Sequence, residues 1–134
     1  MKEKFEWKND YSVGVKDMDN DHKKILSIGL EILQGSGKIK KEAIKHMLDE
    51  ITQESVRHFA KEEELMSKTH YPQADDHHEK HEKLIAEIGL FIKQYMDDHM
   101  DTAHLADFLF EWILQHILNE DKKYEQHFHQ QGIN

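Results

Sequence analysis

Cysteine is absent from this 134-residue chain, and proline occurs once. The first absence removes disulfides, thiolate-bound zinc and cysteine-held iron–sulfur clusters, without fixing the compartment. The second, with only six glycines, leaves too few turn residues for the many short strands of an all-β fold. No apolar run approaches the roughly 20 residues of a membrane-spanning helix. The opening stretch MKEKFEWKND has no hydrophobic segment to act as a secretory signal, so a cytoplasmic protein is expected. Surplus basic charge is missing too: a formal net charge of -9 disfavours nucleic acid and anionic membranes as partners.

Histidine is what the chain has in excess. Its twelve copies are scattered rather than gathered in a tract, so they are not a low-complexity metal sponge. Hydrophobic residues at 37% and charged residues at 34% suit a helical protein with solvated outer faces. One domain spanning 1–134 is expected, large enough to bury a core without cross-links.

Punctuation and period divide the chain into an irregular arm (1–18, containing FEWKNDYSVGVKDMD) and four helices. The first helix is expected from Asp19, acting as its cap, to Gln34, where GSGK breaks it. A second covers Lys41 to Lys68 and ends at Tyr71-Pro72. The third runs from Gln73 to Tyr95, and DDHMDT follows with Asp101 or Thr102 as the next cap. The fourth begins near Ala103 and ends somewhere between Asn119 and Phe128. Connections this short join antiparallel neighbours, which predicts an all-α, up-down-up-down four-helix bundle over 19–128. Phe5, Trp7 and Tyr11 of the arm are expected to cover it.

Each helix carries an apolar stripe, and each stripe runs into histidine. On the second helix Ile44, Leu48 and Ile51 lead through Ser55 to His58 and Glu62, then Leu65. On the third, Tyr95, Phe91, Ile88 and Leu84 lead back to His81 and His77. Leu33, Ile32, Gly29 and Leu26 of the first lead back to His22; Leu105, Leu109 and Trp112 of the fourth lead on to His116. In an up-down-up-down bundle all of these fall at one end, and a rise of about 1.5 Å per residue lets them share a layer.

A single core histidine is ordinarily just hydrogen-bonded. Five imidazoles and a carboxylate buried together are different, because each unpaired polar group costs about 1–3 kcal/mol. A domain of this size has only about 5–15 kcal/mol of net stability. A metal must satisfy the lone pairs, and nitrogen with oxygen donors but no thiolate suits iron, zinc, copper or manganese. His77 and His81, four apart, share one helix face, as do His58 and Glu62. His78 points about 100° off the stripe and is expected in solvent. So are His46, His70, His99, His104, His127 and His129, none of which matches a ligand position. Five histidines exceed what one ion takes from a bundle, whereas two ions bridged by carboxylates would use them. Glu62 is one bridge; helical phase leaves Glu120 and Asp121 both open as the second, since Asp121 reaches the site only if the fourth helix is distorted or ends there.

These residues together resemble the hemerythrin family, in its bacteriohemerythrin branch, over nearly the whole chain. FEWKNDYSVGVKDMDNDH resembles the arm that leads to the family's first histidine, and HFAKEEELM its H-x-x-x-E. YPQADDHHEKH resembles its Tyr-Pro followed by H-x-x-x-H, and WILQHILNED its W-x-x-x-H-x-x-x-x-D. Members of that family are standard examples of the up-down-up-down bundle, so this resemblance and the fold expectation are not independent. It implies two iron ions with an oxo or hydroxo bridge. His77, His81 and His116 would hold one, His22 and His58 the other, with Glu62 and Asp121 bridging. Asp21 departs from the glutamine that the family often has before its first histidine.

The resemblance implies reversible dioxygen binding by a carrier, store or delivery protein rather than an enzyme, and a monomer is expected. A di-iron oxidoreductase, or a sensor of oxygen, nitric oxide or redox state, is the alternative. Ferritin-like oxidases use E-x-x-H pairs, and none occurs here. Reversible binding needs a dry pocket, for which Ile25, Leu26, Phe59, Trp112 and Ile113 are the candidates at helical offsets from the ligands.

Overall fold

The computed structural model describes residues 6–35 and 37–134; Phe5 of the arm lies outside them. Among the described residues there is no strand. Four long helices follow one another: α1 (Lys16–Gln34), α2 (Lys41–Lys68), α3 (Ala74–Met96) and α4 (Thr102–Asn119). A 3-10 helix in the arm (Asn9–Tyr11) precedes them, and a one-turn 3-10 helix (Asp121–Tyr124) and the short α5 (Glu125–Gln130) complete the order. α1 packs on α2 and α4, and α3 on α2 and α4, so the four form a closed ring of antiparallel neighbours.

The apolar stripes face inward. Ile32, Ile44, Leu48, Ile51, Ile88 and Leu105 are all essentially fully buried, and each contributes about 1.5–3 kcal/mol relative to leaving it in water. The second stripe ends differently from the expectation: Met66 is buried and Leu65 only partly. Four residues on from Glu62 keeps the phase better than three once the stripe has run this far.

α1 begins three residues before Asp19. That carboxylate is engaged by the arm instead, accepting from the Val13 N–H at 2.9 Å and the Ser12 hydroxyl at 2.6 Å. It fastens the arm to the first helical turn rather than capping it. Trp7 meets Tyr11 edge-on with ring centroids 5.8 Å apart, and Tyr11 is buried. Gly14 has φ +75°, a left-handed conformation that glycine adopts without strain, where the arm passes close to the Glu125 side chain of α5. At α4 the Asp101 carboxylate accepts from the His104 N–H at 2.8 Å, the cap that the sequence offered.

Candidate metal centre

At one end of the bundle, α1 presents His22, α2 presents His58 and Glu62, α3 presents His77 and His81, and α4 presents His116. Asp121 joins them because α4 stops short of it. Glu120 leaves the helical path at φ -116°, ψ -51°, and the chain tightens into the 3-10 turn that carries Asp121 inward. A regular helix would have left it about 140° from His116. All seven side chains are at most 5% exposed.

The donor atoms fall into two groups, each with its atoms within 4.8 Å of one another. One holds Glu62, His77, His81, His116 and Asp121; the other holds His22, His58, Glu62 and Asp121. The two carboxylates are common to both, and each divides its oxygens between them. Glu62 Oε1 lies 3.0 Å from His81 Nε2 and 3.5 Å from His77 Nε2, while its Oε2 lies 3.2 Å from His58 Nε2. Asp121 Oδ1 lies 3.0 Å from the Nε2 atoms of both His77 and His116, and its Oδ2 lies 3.2 Å from His22 Nε2.

Most of these atoms lack a hydrogen bond of acceptable geometry. Glu62 Oε1, both Asp121 oxygens and the Nε2 atoms of His77, His81 and His116 are buried and unpaired. At about 1–3 kcal/mol each, six such orphans would consume the net stability of a whole domain. Cations bound between the two groups would satisfy all six. The donors, imidazole nitrogen and carboxylate oxygen, suit a divalent transition metal, so the residues fit a metal pair.

The electrostatics make the same demand. Burial pushes His58 and His77 toward neutrality, but Glu62 and Asp21 around His58, and Asp121 and Glu62 around His77, outweigh it. Their pKa values rise to about 10 and about 9. Burial pushes Glu62 up, yet the histidines, His58 foremost, hold it well below its ordinary range. For Asp121, burial and Glu62 push up and His116 and His22 prevail in the other direction. The cluster needs positive charge at its centre, supplied by protons when no metal is there.

Three residues outside the sequence-derived set support it. Asp21 accepts from His58 Nδ1–H at 2.9 Å, leaving Nε2 to face inward, and is flanked by Arg57 at 3.1 Å and Lys61 at 3.4 Å. The His58 hydrogen bond, helped by Arg57, keeps Asp21 ionised far below the usual range against its partial burial. Glu63 does the same for His81, accepting from Nδ1–H at 2.9 Å. Tyr124, fully buried, donates its hydroxyl to Glu62 Oε2 at 2.6 Å. Of these only Asp21 carried a signal, as the residue before His22. Among the other histidines, His78 is half-exposed and touches Glu63 and Glu82, and His127 bonds the backbone of Thr69.

A narrow enclosed cavity of about 10 Å³ lies among Ile25, Leu26, Gly29, Ile51, Leu109, Trp112 and Ile113. Ile25 and Leu26 are one turn from His22, and Trp112 and Ile113 one turn from His116. Phe59 lies elsewhere, stacked on the His81 ring with centroids 3.9 Å apart. The sole polar hydrogen in the cavity's side chains, the Trp112 indole N–H, is committed to the Leu84 carbonyl at 3.0 Å.

Comparison with known proteins agrees with this geometry. Residues 13–128 match the hemerythrin HHE cation-binding domain. The bacteriohemerythrin of Clostridium acetobutylicum is 28% identical over 126 residues, covering 90% of this chain and 98% of its own length. The myohemerythrin of Riftia pachyptila is 24% identical over 121 residues, covering 90% and 91%. The crystal structure of a wild-type hemerythrin superposes with a TM-score of 0.79 at 23% identity, over 90% of this chain and 95% of that one. The ring of four helices, the donors gathered at its end and a family match over most of the length have one common reading: the chain belongs to the hemerythrin family.

Proposed function

We propose that the seven side chains hold two iron ions and that the protein binds dioxygen reversibly, as a carrier or store. The observation that carries this is the division of each carboxylate between the two donor groups, one oxygen of Glu62 and of Asp121 toward each. His77, His81 and His116 would hold one iron, His22 and His58 the other, with Glu62 and Asp121 reaching both. Three imidazoles, two carboxylate oxygens and a solvent-derived oxo or hydroxo bridge would saturate the first ion at six. Two imidazoles, two oxygens and the same bridge would give the second five and leave one position open. A ferrous pair held there would supply two electrons and a single binding position for a small molecule.

The chain's own residues favour binding over chemistry. Ile25, Leu26, Trp112 and Ile113 line a cavity just large enough for about one water-sized molecule. It is apolar, so water gains nothing by entering. With the indole N–H turned to Leu84, the side chains lining it offer no proton to a bound guest. Phe59 takes part by packing on His81, fixing the ring plane.

Elemental analysis of the purified protein should give two irons per chain. Mixing the reduced protein with dioxygen should produce a long-lived visible absorption band that disappears on deoxygenation. Zinc in place of iron, or rapid irreversible oxidation with release of peroxide, would defeat the carrier reading.

A further inference from the structure

Phase places His78 in solvent, yet it is only two contacts removed from the donor set, through Glu63. Glu63, the residue after the bridging Glu62, faces α3 across the α2–α3 seam. Its Oε2 accepts from His81 Nδ1–H at 2.9 Å, and its Oε1 is in contact with His78 Nδ1. His78 Nε2 in turn lies 2.5 Å from Glu82 Oε1. His81 is buried, the Glu63 side chain is 29% exposed and that of His78 51%. A chain of two contacts therefore links a buried imidazole to the surface. It opens into a groove shared with Val56, Ala60 and Ile85.

The corresponding carboxylate on the other half of the site is differently arranged. Asp21 grips His58 in the same way but is neutralised by Arg57 and Lys61. Among the described residues the charged partners of Glu63 are only His81 and His78. The His81 side therefore faces a carboxylate whose charge is compensated by a single surface imidazole.

We propose that Glu63 and His78 form an adjustable outer contact that sets how strongly His81 donates to its metal ion, and so the oxidation potential of the pair. Both are positioning residues, and neither touches an ion. A carboxylate on the distal N–H of a ligating imidazole makes the inward nitrogen a stronger donor and favours the more highly charged metal. His78, donating to the same carboxylate, draws part of that charge away. The inference rests on the di-iron reading above and gives it a control point outside the donor set.

Two variants should move the potential in opposite directions while leaving two irons per chain. Glu63→Gln keeps an oxygen for His81 Nδ1–H but removes the charge, so the ferric state loses support. In spectroelectrochemical titration the oxidised-to-reduced ratio at a fixed potential should fall about tenfold, which is about 59 mV for one electron. His78→Ala frees Glu63 to act on His81 alone, and the ratio should rise. A purely structural role would shift both variants the same way, with loss of iron. In the metal-free protein, nitrogen-15 NMR should show a His81 Nδ1–H protected from exchange in the wild type and exposed in Glu63→Ala. Shifts of one sign, unmoved potentials at full iron content, or an unprotected His81 N–H in the wild type overturn this proposal alone. A wild-type chain that takes up no iron overturns it together with the di-iron reading.

Discussion

Inside the cluster, Tyr124 donates to Glu62 Oε2 at 2.6 Å while stacking on Phe128. Burial and the neighbouring Glu62 and Asp121 hold the phenol protonated far above neutral pH, so it is a permanent donor. Tyr124→Phe keeps the packing and removes one hydrogen bond to a charged acceptor, a loss of about 1.5–3 kcal/mol. The melting temperature of the iron-loaded protein should drop by several degrees in calorimetry, with iron still bound. His58→Ala should behave differently, because it removes one of only two imidazoles on its side of the cluster; iron content should fall. His78→Ala should retain the full two irons, since its ring contributes no donor. Equal metal loss in both histidine variants would contradict the division between core-facing and outward positions.

At the level of the helices, the decisive feature is where α4 ends. Asp121 faces the cluster because the helix yields at Glu120 to a 3-10 turn. Inserting one alanine between Asn119 and Glu120 would rotate everything beyond it by about 100°. That variant should keep its helical circular dichroism and lose both irons, since Asp121 serves the two together. The helices themselves were legible because their apolar stripes keep a 3.6-residue period, and the histidines were legible because they continue those stripes. Asp121 was not legible from period, since a break in period is what positions it; family resemblance supplied it. Asp19 has the chemistry of a helix cap, and sequence alone does not reveal that Ser12 and Val13 claim its oxygens first. Glu63 and Tyr124 escaped because their contacts cross between elements, and which residues meet there depends on how the helices are rotated against each other.

Over the whole molecule, the cluster ties stability to pH. In the metal-free bundle His58 and His77 are raised from an ordinary 6.5 to about 10 and about 9. Their contribution is complete below about 6.5 and is lost as pH climbs through 9 to 10. Glu62 and Asp121, held below their ordinary 4.5 and 3.8, contribute above those values and lose it as pH falls. The metal-free protein should therefore melt at its highest temperature between about pH 4.5 and 6.5. Iron bound at the cluster would take the place of those protons, so loading at neutral pH should release acid into a weakly buffered solution. It should also move the melting maximum upward in pH. A metal-free protein that is most stable near pH 9 would contradict the arrangement of charges described here.

The order of the donors along the chain has a bearing on biosynthesis. His22 is made first and Asp121 last, with all four long helices between them. A chain that has not yet made the turn after α4 lacks Asp121, which is common to both donor groups, so it can complete neither. Metal bound there would thus be locked in only after the core residues of all four helices, Leu48, Ile51, Ile88 and Leu105 among them, have been made.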